Sequence, residues 1–193
     1  MNHKLNIILD LDNTLISAID LKEEKKIPKD ELKAKMSKFK WEQMYDDDNI
    51  PLYKIFERPH LQKFLNWLFE NFTVSVWTAA SKTYALFIIE KFILANYPKR
   101  KLDYILFSHH CRKSKRQCKK QKGLEMLTYD IPIGYEMNNT FIVDDHKDVF
   151  RDQPDNCIHI RPFNIASQNA DNDDALLRVL QNLERKRLVR VFV

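Results

Sequence analysis

The chain has 193 residues, 44% hydrophobic and 11% aromatic, with a formal net charge of +5. That length suits one domain with a substantial core, and that composition excludes a disordered or fibrous chain. No apolar run reaches about 18 residues and no basic-then-apolar leader opens the chain, so neither a membrane span nor a secretory signal is expected.

Three cysteines, Cys111, Cys118 and Cys157, form no disulfide framework and read as reduced thiols of an intracellular, nuclear or cytoplasmic protein. Only two glycines occur, Gly123 and Gly134, so neither a GxGxxG turn nor a GxxxxGK[ST] loop can be written. Cysteine-based phosphatase chemistry is excluded too. It wants an arginine six positions after the thiol, where this chain has Gln117, Leu124 and Phe163.

In chain order, Leu5 to Leu9 is an apolar run broken only by Asn6 and reads as a short buried strand. It runs into Asp10, Asp12 and Thr14, which would share one face if the strand continued. Two carboxylates so close repel each other and need a cation or a proton, and their hard oxygens suit Mg²⁺. The competing reading is a turn, for which Asp and Asn are also suited. The polar stretch 17–49 carries a lysine- and glutamate-rich segment, Lys22 to Lys40, with Leu32, Met36 and Phe39 at helical spacing. Asp46 to Asp48 reads as a solvated turn, and Leu52 to Phe56 as a short strand before Arg58-Pro59.

The periodicity is cleanest after His60. Leu61, Phe64, Leu65, Leu68 and Phe69 mark an amphipathic helix just after a proline. Phe72 to Trp77 is a strand ending at Thr78, and Ser81 is placed to cap a second helix carrying Tyr84, Phe87 and Ile88. Asp103 to Ser108, Phe141 to Val143 and Cys157 to Ile160 read as further strands, the second of them ending at Asp144-Asp145. Asp173 to Lys186 is helical, with Leu176, Leu177, Leu180 and Leu183 as its stripe. Strands alternating with helices predict an α/β domain with a mostly parallel sheet, which gathers its reactive residues at the strands' carboxyl ends. Asp10 with Asp12, Thr78, and Asp144 with Asp145 would meet on that rim, and this convergence favours the metal reading over the turn.

These blocks carry a resemblance. DLDNT after an apolar strand, VWTAA after a second, a downstream lysine and IVDD after a later strand resemble the haloacid dehalogenase superfamily. Within it, ERPHLQKFL, VWTAASKTYA and VDDHKDVF are similar to the phosphatases that act on the C-terminal domain of RNA polymerase II. The similarity runs from about Leu5 to Leu183 and is weak at 17–50 and 129–139. It implies a Rossmann-like three-layer sandwich over 1–193, with a short insertion at 17–57 between the first strand and the first core helix.

It also implies roles. Asp10 would attack phosphorus and Asp12 would protonate the leaving oxygen, its carbonyl also meeting the metal. Mg²⁺ would be held by Asp10, Asp12 and Asp145, with Asp144 as a ligand or a support beside them. Thr78 would offer a hydroxyl to a phosphoryl oxygen, and Thr14 would bind substrate. Lys122, opening a short helix, would neutralise the transferring group, with Lys119 and Lys120 as alternates. Tyr129 to Asn138 reads as an insertion between that lysine and the acidic pair.

The chain's net positive charge resides in one run: Arg112, Lys113, Lys115, Arg116, Lys119, Lys120 and Lys122. The run is suited to steering an acidic substrate, to nuclear import or to contact with nucleic acid, and the competing reading is a solvated loop with no such role. Without a large cap, the cleft suits a phosphorylated protein or peptide such as the RNA polymerase II C-terminal domain. Two alternatives are a phosphatase for nucleic-acid ends or small phosphoesters, and a non-catalytic phosphopeptide-binding scaffold.

Overall fold

β1 (Asn6–Leu9) is the central strand of the molecule, in a computed structural model that describes residues 5–130 and 134–191. It pairs in parallel with β5 (Thr73–Trp77) on one side and β7 (Thr140–Asp144) on the other. β6 (Ile105–Leu106) and β8 (Cys157–His159) complete a five-stranded sheet of order β6-β5-β1-β7-β8. Successive side chains of a strand face opposite sides, so Ile7 and Leu9 enter one apolar cluster and Ile8 another. The first cluster is closed by α3 (Leu61–Asn71), α4 (Lys82–Ile88) and α8 (Ala175–Val191) through Phe64, Ile88 and Leu176. α5 (Ser108–Cys118), α6 (Glu125–Asp130) and α7 (Lys147–Asp152) close the second through Cys111, Met126 and Val149. The result is a three-layer α/β sandwich. Its chain leaves β1 for strands on both flanks, which puts the topological switch point at the carboxyl end of β1.

Between β1 and α3 the chain builds a second, antiparallel sheet from β2 (Ile16–Asp20), β3 (Trp41–Tyr45) and β4 (Pro51–Glu57), in the order β2-β4-β3. Its apolar side, with Ile19 and Phe56, shares a cluster with Leu32 of α2 (Lys29–Lys38) and with Phe163 and Ile165. The sequence reading expected one helix over Lys22 to Lys40. The structure has a single turn, α1 (Leu21–Glu24), and then α2, because Pro28 lacks an N–H and can stand only at a helix start.

Three other expectations change. β1 ends at Leu9, so Asp10, Asp12 and Thr14 do not continue a strand. β6 is two residues long, and Ser108 already begins α5. The basic run is therefore helical over most of its length, not a loop. Of the expected insertion at 129–138, residues 131–133 lie outside the described residues. Of its remainder, Tyr129 and Asp130 end α6, and Tyr135 docks on the core: its hydroxyl bonds Ser75 at 2.7 Å and donates to Asp103 at 2.9 Å.

One buried ion pair joins the end of the small sheet to the start of α8. Arg58, with no exposed surface, donates through Nε to Asp173 Oδ1 at 2.8 Å and through Nη2 to Oδ2 at 2.9 Å. Its remaining N–H groups reach the carbonyls of Asn13, Thr14 and Arg161, so the planar fork is fully used. Burial works to raise the Asp173 pKa, but the Arg58 hydrogen bonds and charge overcome it and hold that carboxyl below its ordinary 3.8. A depressed folded-state pKa stabilises above the unfolded value and is lost as pH falls through the folded one. Asp173→Asn leaves Arg58 buried and uncompensated, and should cost about 3–5 kcal/mol in denaturant unfolding. The loss of stability that the wild type shows as pH drops below about 4 should also be shallower in this variant.

Candidate active site

The segment after β1 is a tight turn. Asp10 N–H still donates to Val143 O at 3.0 Å, but Leu11 O then collects the N–H groups of Thr14, Leu15 and Ile16. Asn13 takes φ 57°, a left-handed value that Asn tolerates better than most residues. Arg58 holds the outer carbonyls of this turn, Asn13 O at 3.2 Å and Thr14 O at 2.9 Å. Asp10 is thereby fixed at the switch point, with Thr78 following β5 on one side and Asp144 ending β7 on the other.

Lys122 enters this rim from the loop between α5 and α6, not from a helix. Its backbone is pinned from both sides. Gln153 Nε2 donates to Lys122 O at 2.8 Å, and Gly123 N–H donates to Ser114 Oγ at 2.8 Å. A side chain at Gly123 would meet Cys118 Cβ at 3.0 Å, so glycine is what lets the loop lie against α5. The Lys122 ammonium then bridges Asp10 Oδ1 at 2.5 Å and Asp144 Oδ2 at 2.7 Å, all three groups being buried. Burial disfavours its charge, but the two carboxylates prevail and raise its pKa, so it stays an ammonium. Lys119 and Lys120 are placed elsewhere: Lys119 is exposed, and Lys120 is paired with Glu125 at 2.6 Å.

Asp10, Asp144 and Asp145 each offer a carboxylate oxygen, and these oxygens lie within 4.8 Å of one another. Asp144 is the most committed: Oδ2 faces Lys122 and Oδ1 accepts from His146 N–H at 2.8 Å. Asp145 is half-buried, and among the described residues its carboxylate takes only a long 3.4 Å bond from the Thr14 hydroxyl. Thr14, expected toward the substrate, is completely buried and turned to Asp145. Burial raises the pKa of both Asp10 and Asp145, and neighbouring carboxylates add to it. Three carboxylates against one ammonium leave two negative charges, the complement of a divalent cation. All the donors are hard oxygens, which fits Mg²⁺.

Asp12 stands apart from this cluster. It is largely buried, and its Oδ1 accepts from the Tyr84 hydroxyl at 2.5 Å. Burial pushes its carboxyl up to about 6, against the Tyr84 hydrogen bond, which lowers it. Burial and the Asp12 charge hold the Tyr84 phenol well above its ordinary range, so it remains a donor. Thr78 is buried, its Oγ1 accepting from Ala80 N–H at 3.0 Å.

Beside Asp12 opens a cleft of about 700 Å³, walled by Tyr84 and Thr83 of α4 and by Met44, Leu52 and Tyr53 of the small sheet. A second cleft of about 350 Å³ shares Asn13, Ala18 and Glu23 with the first, so the two form one groove. Of the expected steering residues, Arg112, Lys115 and Arg116 are exposed on α5, whereas Lys113 is tied to Asp130 at 2.9 Å. His146 is exposed and caps α7 through its ring. All three cysteines are free thiols, and among the described residues no helix is long and apolar enough to cross a membrane.

Sequence reasoning missed Arg58, Tyr84 and Asp173. Arg58 lies within ERPHLQKFL, yet nothing local to it points to Asp173 far along the chain. Tyr84 falls in the apolar stripe of α4 and reads there as core.

Residues 5–190 match the profile of a family described as NLI interacting factor-like phosphatase. Over 184 residues the chain is 44% identical to the CTD phosphatase-like protein 355R of Invertebrate iridescent virus 6, covering 93% of this chain and 97% of that one. It is 28% identical over 130 residues to ubiquitin-like domain-containing CTD phosphatase 1 of Xenopus tropicalis, covering 66% of this chain and 41% of the relative. The fold is shared with the RNA polymerase II CTD phosphatase Fcp1 of fission yeast, solved bound to beryllium fluoride. The TM-score is 0.60 at 23% identity, covering 97% of this chain and 50% of that one.

The charge balance of the cluster has a measurable consequence. Mg²⁺ should raise the thermal midpoint of the protein, because a ligand held only by the folded state stabilises it. Asp145→Asn should abolish most of that rise and weaken Mg²⁺ binding at least about tenfold in calorimetric titration.

Proposed function

Because the chain belongs to the family of NLI interacting factor-like phosphatases and shares its α/β fold, we propose that it is a Mg²⁺-dependent phosphoprotein serine/threonine phosphatase acting through an aspartyl-phosphate on Asp10. The observation that carries this reading is the position of Asp10. It is held by Lys122 at the switch point, with Asp12 two residues on at the mouth of an open groove.

The residues divide the work. An oxygen of Asp10 bonds to phosphorus as the bond to the seryl or threonyl oxygen breaks, and the proton of Asp12 passes to that leaving oxygen. A second displacement follows, in which Asp12 takes a proton from the attacking water and the Asp10–phosphorus bond breaks. An alkoxide is a poor leaving group, so an acid is needed. A carboxyl raised to about 6 holds its proton more readily than an ordinary one. Lys122 keeps Asp10 oriented and opposes the charge that gathers on the phosphoryl oxygens. Asp10, Asp145 and the Asp12 carbonyl are the groups that would hold Mg²⁺, which supplies charge neutralisation between carboxylate and phosphate. Asp144, with both oxygens engaged, supports Lys122 and the turn to α7.

The groove supports a chain-like substrate over a small metabolite. It is walled on one side by the small antiparallel sheet and stays open, with room for residues flanking a phosphoserine or phosphothreonine. The relatives' names point to the C-terminal domain of RNA polymerase II as the substrate. Arg112, Lys115 and Arg116 would steer a multiply phosphorylated segment toward the rim.

Asp10→Asn should abolish turnover of phosphopeptides while leaving the circular dichroism spectrum unchanged. Retained turnover in a pure, folded sample would refute the covalent route. Replacing Arg112, Lys115 and Arg116 together by Gln should lower kcat/KM for a multiply phosphorylated peptide at low salt. That deficit should shrink as ionic strength rises past about 0.15 M, where screening acts within about 8 Å.

A further inference from the structure

Tyr84 belongs to two structures at once. Its backbone lies in the first turn of α4, where Ser81 Oγ accepts its N–H at 3.4 Å. Its ring meets that of Tyr53 on β4 edge-on, at 5.3 Å between centroids and 75° between planes. Both rings wall the groove. Its hydroxyl, at the far end, donates to Asp12 Oδ1 at 2.5 Å. The side chain thus runs from the wall where a peptide would lie to the group that would protonate the leaving oxygen.

We propose that Tyr84 is a positioning residue: its hydroxyl holds the Asp12 carboxyl in the orientation that serves the leaving oxygen, and its ring ties that orientation to the groove wall. The proposal rests on the phosphatase reading above. Asp12 follows Asp10 by two residues on a turn beyond the end of β1, and its backbone makes only an isolated bridge to Ile16, so the five-stranded sheet does not set its side-chain direction. Repulsion from Asp10 favours turning Asp12 away from the cluster. The Tyr84 bond engages one carboxyl oxygen and leaves the other for the leaving group. A misplacement of about 1 Å in such a group can cost on the order of a hundredfold in rate. The packing of Tyr84 on Tyr53 fixes the hydroxyl from the small sheet, so a peptide seated against this pair of rings would press on the same lever that holds the acid.

The test separates acid positioning from packing. Tyr84→Phe keeps the ring against Tyr53 and removes only the hydroxyl, and its thermal midpoint is measured first beside the wild type. Then kcat/KM, which reports the steps up to phosphoenzyme formation, is measured over aryl phosphates from p-nitrophenyl to unsubstituted phenyl and for a phosphoserine peptide. Protonation matters more as the leaving group becomes more basic, so Tyr84→Phe should lose least on p-nitrophenyl phosphate. Its loss should be about tenfold or more on phenyl phosphate and the peptide, steepening the dependence on leaving-group basicity. Asp12→Asn should steepen it further, and adding Tyr84→Phe to Asp12→Asn should change it by less than about twofold.

A uniform loss across the series would mean that Tyr84 only packs, and would overturn the proposal. So would losses that multiply in the double variant. A Tyr84→Phe variant faster on phenyl phosphate would show that the hydroxyl holds the acid out of place, which also overturns it. These outcomes presuppose a wild type that turns over phosphate esters in an Asp10-dependent way. A wild type without such turnover would remove the phosphatase reading itself, and this inference with it.

Discussion

The bridge from Lys122 to Asp10 and Asp144 is the constraint on which the rim depends. Two strand ends bring three carboxylates to one place, and a parallel sheet buries them. Unopposed, they would repel one another and take up protons instead of serving as ligand and nucleophile. The buried ammonium answers one charge directly, at 2.5 and 2.7 Å, and leaves the remainder to a cation. Much of the surrounding structure exists to put that one nitrogen in place. Gly123 allows the loop to lie on α5, Ser114 and Gln153 pin its backbone, and His146 N–H holds the far oxygen of Asp144. Replacing Lys122 would therefore disturb the electrostatics of the whole rim as well as any contact with a phosphoryl group.

A second constraint works from behind. Arg58, with no exposed surface of its own, ties the turn carrying Asp12 to the start of α8 through Asp173. It joins the end of β4, and so the small sheet that forms one groove wall, to the turn that follows β1 and carries Asp12. The groove and the carboxylates are thus held as one body, a requirement for placing a phosphate at Asp10 while its flanking residues lie against Tyr53 and Tyr84.

Much of this was legible in the sequence wherever periodicity was strong. The apolar run before Asp10, the stripe of α3, the strand before Thr78 and the acidic pair after β7 all announce themselves, and the rim follows from their alternation. What escaped did so for physical reasons. β2 and β3 lie in a polar stretch because one side of the small sheet faces solvent, and the helical stripe in that stretch, Leu32 and Met36, belongs to α2 between them. The turn after β1 is invisible to a strand reading, since Asp and Asn suit both a rim and a turn. The Arg58–Asp173 pair and the Tyr84–Asp12 bond span 115 and 72 residues, and neither partner carries a local signal of the other. The basic run reads as a solvated loop from its charge, whereas Cys111 and Ser114 give α5 the buried face that makes it a helix.

The central claim is that Asp10 carries phosphorus during turnover, and it is most directly tested by trapping that species. Wild-type protein is mixed with phosphopeptide and Mg²⁺, quenched in acid, reduced with borohydride and digested for mass spectrometry. An acyl phosphate on Asp10 is converted by this treatment to homoserine, so the peptide containing position 10 should carry that mass change, and only in samples given substrate. Turnover with unmodified Asp10, or with the label on another residue, would contradict the account.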